Sequence, residues 1–443
     1  MNSSIREQLR LKNSSVFMAA ILLMAAISYY FFLLQQEYPP CCDAVSYALI
    51  ATQTNSLGFL ESQIPLRTFA YPLFLTGVEK ISAISSVNYA LLVFIFQFAL
   101  YAVAVINALS FFAADIKSTT AKSAILLFLC CNIYVAPYIA ITLTDSIYVS
   151  LCIIVITNIC RLLASLEVKY HLICITAFLT ALAIVIRPTA IWLAGPLLFY
   201  FAILIFSKRV APFKLATAVV IAAIPLGIQI FINSSRFDAF TFFPATDLGK
   251  AQVEWGITHL KYATWMGGGA PQNYYPSAGL INPVPGESGF TVMWYFNNIV
   301  EGIKLVFVKF VGAFDFDYLV PYPYFVIQDF WIPSVFSFGF MFFGVCGVIY
   351  HAWTNNVVVL GNRFLPAIIL VSWGAITLIS ALELRFTLPI LLYFMIVAVL
   401  YIHELSVRNQ KKIIVFSVVG FLLVLPLLIK IALFVRAQSS ITG

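Results

Sequence analysis

The sequence predicts an all-α, polytopic integral-membrane protein, and three observations carry that prediction. Of 443 residues, 62% are hydrophobic and only 10% are charged. A soluble core of that length has too little interior to hide so much apolar surface. Apolar runs of bilayer-spanning length recur along the whole chain. Between them, Lys and Arg alternate between dense and sparse from loop to loop, as topogenic charge does.

Eleven spans are read in order, near 15–34, 86–113, 121–136, 145–162, 170–186, 189–206, 213–232, 332–352, 364–381, 386–402 and 413–434. The first, "SVFMAAILLMAAISYYFFLL", follows Arg6, Arg10 and Lys12 and has no small-residue cleavage site after it. It reads as a signal anchor with a cytoplasmic N-terminus. From that start the cytoplasmic segments collect 14 of the 25 Lys and Arg residues against four acids. The net charge of +7 is therefore an orientation signal and calls for no nucleic-acid partner. Six of the eight Cys lie inside apolar runs, where Cys is a small hydrophobe, and Cys41 and Cys42 are adjacent. His171, His259, His351 and His403 are scattered, so neither a disulfide framework nor a metal site is read.

The chain reads as a single membrane domain over 1–443. A first module, 1–232, carries an outer loop at 35–85; a long outer loop follows at 233–331, then a C-terminal group of spans at 332–443. Within the long loop, Phe296, Val300, Ile303, Phe307 and Phe310 recur at three- and four-residue steps, with Glu301, Lys304 and Lys309 between them. That pattern over 290–314 suits a helix lying in the outer interface better than a span. Trp255, Trp265, Trp294 and Trp331 read as interface anchors. Asn233-Ser234-Ser235 matches the glycosylation acceptor pattern.

Span interiors are almost free of charge, and the exceptions gather at outer ends: Asp43, Arg67, Asp145, Arg187, Glu383 and Arg385. A charge at the membrane edge is costly and is a functional candidate by default. Six at one depth describe a cavity open to the outside. In "YPPCCDAVSY", Asp43 and Tyr47 share a face of any helix that begins near Asp43; capping that helix is the alternative role for Asp43. "PLRTFAYP" leaves Arg67 and Tyr71 on a loop entering a second short helix opened by Pro72. A lone Arg there also reads as an interfacial snorkeller. Asp145 in "LTDSIYVSL" starts the fourth span, again with capping as the alternative. Arg187 in "IRPTAIW" stands in a short outer turn where the charge rule disfavours a basic residue. Glu383 and Arg385 in "ALELRFTLP" are functional candidates too, or else a local ion pair of little worth.

A carboxylate at a dry membrane edge can act as general base toward a hydroxyl or amine. Arginines at the same depth can grip a phosphate through forked hydrogen bonds and stabilise charge growing on it. Together they suit a lipid-phosphate leaving group whose polyprenyl tail stays in the bilayer.

These motifs, in this order, resemble the GT-C superfamily of membrane glycosyltransferases, nearest the bacterial lipid-A aminoarabinose transferase and protein O-mannosyltransferase branch. The features in common are the acid just after the first span, "RTFAYP", "LTDSIY", "IRPTA" and "ELRFTLP". They cover about the first 200 residues well and the last 60 moderately, and the long loop shows no match. The resemblance implies a GT-C-like fold of about eleven transmembrane helices, with short interfacial helices in the first outer loop. It implies an inverting enzyme that moves a sugar from a polyprenyl-phosphate-linked donor to a glycan, lipid or protein acceptor at the outer face. The implied catalytic base is Asp43. Arg67, Arg187 and Arg385 would hold the donor phosphate, and Asp145 would help bind acceptor or donor, with Tyr47, Tyr71 and Glu383 as further candidates for that task. The implied setting is a bacterial inner membrane with the site facing the periplasm. Relatives often carry two neighbouring acids in the first loop, whereas Asp43 stands alone, so no cofactor is expected and a divalent cation lacks support. An O-antigen ligase or polymerase with a lipid-diphosphate donor remains the alternative. A transporter is disfavoured by the apolar midplane and the lack of an inverted repeat. A non-catalytic assembly protein on the same scaffold is the third reading.

Overall fold

The structure, a computed structural model, describes residues 14–37, 42–114, 116, 118–165, 167–208, 210–263, 273–282, 289–319, 331–354 and 362–438. Arg6, Arg10, Lys12, Cys41, Asp115, Lys117, Arg209 and Trp265 lie outside the described residues. The chain forms two compact units, one of residues 1–246 with 355–368, the other of 247–354 with 369–443.

In the first unit, the opening apolar run folds as α1 (Ser14–Gln36), and two short helices occupy the first loop, α2 (Cys42–Leu57) and α3 (Ala70–Ser85). Then come α4 (Tyr89–Phe112), α5 (Thr119–Cys130), the single turn α6 (Ala136–Ile139), α7 (Asp145–Ala164) and α8 (Tyr170–Ile186). A 3-10 turn (Pro188–Leu193) leads into α9 (Ala194–Phe206), and α10 (Pro212–Phe237) ends the run. Local chemistry starts these helices where polar residues stand. Asn88 accepts from the Leu91 amide at 3.1 Å and Ser118 from that of Ala121 at 3.3 Å, each satisfying a first-turn donor. Helix α7 is apolar around almost its whole circumference and is correspondingly buried, with α4 and α8 packed on it. Phe69, Val185 and Ile232 form a small core that ties the first loop to α8 and α10, and Gln229 accepts from the Phe69 amide at 2.9 Å.

The second unit begins with α11 (Leu248–Thr258) and an antiparallel hairpin that the sequence reading does not anticipate, β1 (His259–Ala263) with β2 (Asn273–Pro276). Helices α12 (Val292–Asn297), α13 (Ile299–Ala313), α14 (Trp331–Thr354), α16 (Leu384–Val407) and α17 (Lys411–Ala437) follow, with α15 (Leu365–Thr377) beginning in the first unit's second segment. Helix α16 is buried from Leu384 to Tyr401 and lies along α14. Glycine permits that approach: a Cβ on Gly344 would come within 2.6 Å of the Phe394 ring.

Eight of the described helices are long and apolar enough to cross a membrane, and Thr119–Cys130, Tyr170–Ile186 and Leu365–Thr377 are shorter apolar helices. Each of the eleven spans read from sequence therefore has an apolar helix. The three short ones reach only about 18–26 Å at ~1.5 Å per residue, less than a perpendicular crossing needs. Segment 290–314 becomes α12 and α13, neither of them among the candidate spans. Helix α13 exposes Ile299, Val300, Ile303 and Phe307 and buries Leu305, Val308 and Lys309. The Asn233 side chain is buried, accepting from Gln229 and donating to the Thr241 and Phe243 carbonyls at 2.7 Å each. The nitrogen of its glycosylation pattern is thus committed inside the fold.

Candidate active site

Asp43 stands in the first turn of α2, where the helix dipole favours a carboxylate, and Tyr47 follows one turn later on the same face. Arg67 reaches both. Its Nη2 donates to Asp43 Oδ1 at 2.6 Å, and its guanidinium lies 4.9 Å from the Tyr47 ring centroid. Tyr47 in turn meets Tyr71 edge-on, with ring centroids 5.0 Å apart. The sequence reading left Tyr71 on the entering loop; the structure puts it inside α3, which starts at Ala70. The physical reason is that the first helical amides need no intrahelical acceptor, so Pro72 is tolerated at the third position and the helix starts earlier.

Tyr71 is fully buried, and its hydroxyl donates to Gln97 Oε1 at 3.4 Å. Gln97 Nε2 donates to the Ile139 and Ile141 carbonyls at 3.0 and 2.8 Å, in the segment that leads to Asp145. Burial pushes the Tyr71 phenol well above its ordinary pKa, and Tyr89, Tyr47 and the Asp145 carboxylate push it further the same way. Tyr71 therefore stays protonated, as a fixed donor between two clusters.

Asp145 and Arg187 form the second cluster. The capping position of α7 falls on Thr144 rather than Asp145, which is the first helical residue. Arg187, extended between α8 and the 3-10 turn, donates through Nη1 to Asp145 Oδ1 at 2.7 Å and to Thr144 Oγ1 at 2.9 Å. Its guanidinium carbon lies 5.7 Å from the Tyr148 ring, whose hydroxyl accepts from Trp192 Nε1 at 3.0 Å. The two carboxylates differ in access: the Asp145 side chain is 0% exposed and that of Asp43 26%. Only the latter can meet an entering molecule without rearrangement of a buried pair.

Glu383 and Arg385 belong to the second unit. Arg385 Nε donates to Glu383 Oε2 at 2.6 Å, and both side chains are nearly buried, so this pair is not the solvated contact that a short loop suggests. Their turn is held from several sides. The Tyr262 amide donates to the Leu382 carbonyl at 2.7 Å and Tyr262 bridges to Glu383 in parallel, adding an edge to the hairpin. Lys309 Nζ donates to the Ser380 and Gly256 carbonyls at 2.7 and 2.8 Å. Nearby in the chain a buried ionic network forms that the sequence reading did not find. Lys261 pairs with Asp317 at 2.5 Å, Tyr275 donates to Asp317 at 2.6 Å, and Arg436 grips Asp315 with two bonds of 2.9 and 2.6 Å. The "FDFD" run offered a signal, two acids among aromatics.

The structure thus brings Asp43, Tyr47, Arg67 and Tyr71 together and couples them through Gln97 to the segment before the Asp145–Arg187 pair. Gln97, Thr144, Tyr148 and Trp192 escaped the sequence reading. Gln97 was the detectable one, a polar residue inside "FIFQFAL". Among the described residues, no three or more His, Cys, Asp or Glu side chains lie together as a metal site would require.

The model of the Alg9-like mannosyltransferase family matches residues 58–248. That stretch includes Arg67, Tyr71, Asp145 and Arg187 and begins after Asp43 and Tyr47. The match supports a membrane glycosyltransferase of the GT-C superfamily. No curated protein and no solved structure matches the chain.

Proposed function

We propose that the chain is an inverting transferase that moves a hexose, mannose being favoured by the family matched, from a polyprenyl monophosphate to an acceptor hydroxyl or amine at the non-cytoplasmic face of the membrane. Asp43 takes the acceptor proton as its oxygen or nitrogen attacks the anomeric carbon. The new bond to that carbon forms as the bond to the phosphate oxygen breaks, and the electron pair leaves on the phosphate. Arg67, more exposed than Arg187, meets that growing charge. Arg187, sealed against Asp145, holds the second acid and the Tyr148–Trp192 wall in position. Tyr47 and Tyr71 hold the plane over which Arg67 lies. The charges at the cytoplasmic ends of the spans support the orientation, and a bacterial inner membrane suits the motifs in common with the aminoarabinose branch.

The observation that carries this reading is the part-exposed Asp43–Arg67 pair, a base and a phosphate ligand within 2.6 Å of one another. The test is sugar transfer from radiolabelled polyprenyl-phosphate-mannose by purified Asp43→Asn. Turnover should fall about a thousandfold, as for loss of a general base. Near-wild-type turnover would remove Asp43 from the chemistry. Offering monophosphate- and diphosphate-linked donors side by side separates this reading from a lipid-diphosphate ligase or polymerase.

A further inference from the structure

We propose that the exposed side of α12 and α13 is a lipid-docking face, and that it anchors the hairpin, α11 and the 379–380 turn to the membrane surface at which α17 ends. The partner is the headgroup and upper acyl region of the bilayer that the spans cross. The inference stands apart from the reaction that the chain carries out.

The face is apolar and uncovered. Met293, Phe296, Ile299, Val300, Ile303 and Phe307 are each 54–66% exposed, and most stand three or four residues from the next along the two helices. A contiguous apolar patch of this kind marks an interaction surface. The opposite side is already committed. Trp294, Leu305 and Val308 pack with Ile257, Leu260 and Tyr275 of α11 and the hairpin, so the stripe cannot turn inward. Nor does α13 cross the bilayer on its own. It has 15 residues, among them Glu301, Lys304 and Lys309.

The level of the stripe follows from α17. That helix has 27 residues, about 40 Å at ~1.5 Å per residue, and overruns a hydrocarbon core of ~30 Å. Lys430 is exposed on it, and a cation that faces lipid settles where the headgroups begin. Ile431, Phe434 and Val435 follow directly, and they pack into the cluster that holds Leu305 and Val308. Helix α13 therefore lies beside the last turns of a span, at the depth where one-sided helices rest in the interface. Lys304, exposed next to Ile303, is placed there to meet headgroup phosphates.

What docks with the stripe is fixed by its other side. Tyr295 Oη donates to the Ile379 carbonyl at 3.0 Å, and Lys309 Nζ to those of Gly256 and Ser380 at 2.8 and 2.7 Å. The same two helices thus present a face to lipid and grip α11 and the 379–380 turn from behind.

The full chain, reconstituted in phosphatidylcholine–phosphatidylethanolamine vesicles, tests this in two ways. A benzophenone amino acid in place of Phe296 or Ile303 should form lipid adducts on irradiation about tenfold more than one in place of Glu254, an exposed residue of α11. Adducts to a second copy of the chain, or yields no higher than at Glu254, would overturn the docking face. Ile303→Asp combined with Phe307→Asp charges the stripe without entering the core. The Tyr262 and Ala381 amides, which donate to the Leu382 and Gln252 carbonyls, should then exchange with deuterium about tenfold faster, while α16 keeps its wild-type protection. Unchanged exchange at both amides would overturn the anchoring. Should α16 also lose protection, the milder Ile303→Ser with Phe307→Ser replaces the charged pair, with the same expectation and the same overturning result.

Discussion

At the scale of single residues, the difference between Asp43 and Asp145 is one of environment. Each is ion-paired to an arginine at 2.6–2.7 Å, yet one pair is part-exposed and the other holds a fully buried carboxylate. A buried pair adds little net stability while intact, but removing one partner strands the other charge. Asp145→Asn should therefore cost about 3–5 kcal/mol, as an uncompensated buried guanidinium does. Asp43→Asn should cost only about 1 kcal/mol or less, as for a solvated pair. Thermal unfolding of the two variants in detergent makes the comparison, and equal losses would contradict the burial argument.

At the scale of elements, close backbone approach decides where the Glu383–Arg385 turn sits. Helix α11 presses on residues 379–380, and a Cβ at Gly256 would fall 2.1 Å from the Ile379 carbonyl oxygen. That neighbour is backbone and cannot rotate away. Gly256→Ala should push helix and turn apart, costing about 2 kcal/mol as overpacking does. Gly249 on the same helix has open space where its Cβ would go. Gly249→Ala should be neutral or stabilise slightly, by up to about 1 kcal/mol. Unfolding temperatures of the two alanine variants check both, and similar values would refute the close-approach account.

At the scale of the molecule, the long loop carries buried charge into the second unit. Burial alone would raise the Asp315 carboxyl, but Lys261 and Arg436 outweigh it and hold the group below its ordinary range. That contribution is present above the unfolded-state carboxylate pKa and is lost as pH falls through the lower folded value. Lys309 runs the other way. Burial lowers its pKa from 10.5 to about 7, so between those values the unfolded chain binds the extra proton and stability rises with pH. The unfolding temperature of wild type relative to Lys309→Met should accordingly move in favour of wild type as pH is raised from about 7 to about 10. A gap that does not change with pH would show the amine to be charged throughout.

Sequence alone determined the class of this protein, the places of its eleven apolar helices and the residues at which charge breaks the apolar pattern. Those are local properties: bilayer thickness sets the length of an apolar run, and an isolated ionic residue beside such a run shows without knowledge of its neighbours. Gln97 in "FIFQFAL" was visible in the same way. Only the tertiary structure decided which charges meet. Asp43 finds Arg67 across 24 positions and Asp145 finds Arg187 across 42, while Lys261 and Asp317 are 56 apart. No periodicity encodes such pairs, because they depend on how helices pack. Packing also decided that one acid is sealed and the other reachable, since the burial of a charge is a property of everything folded around it.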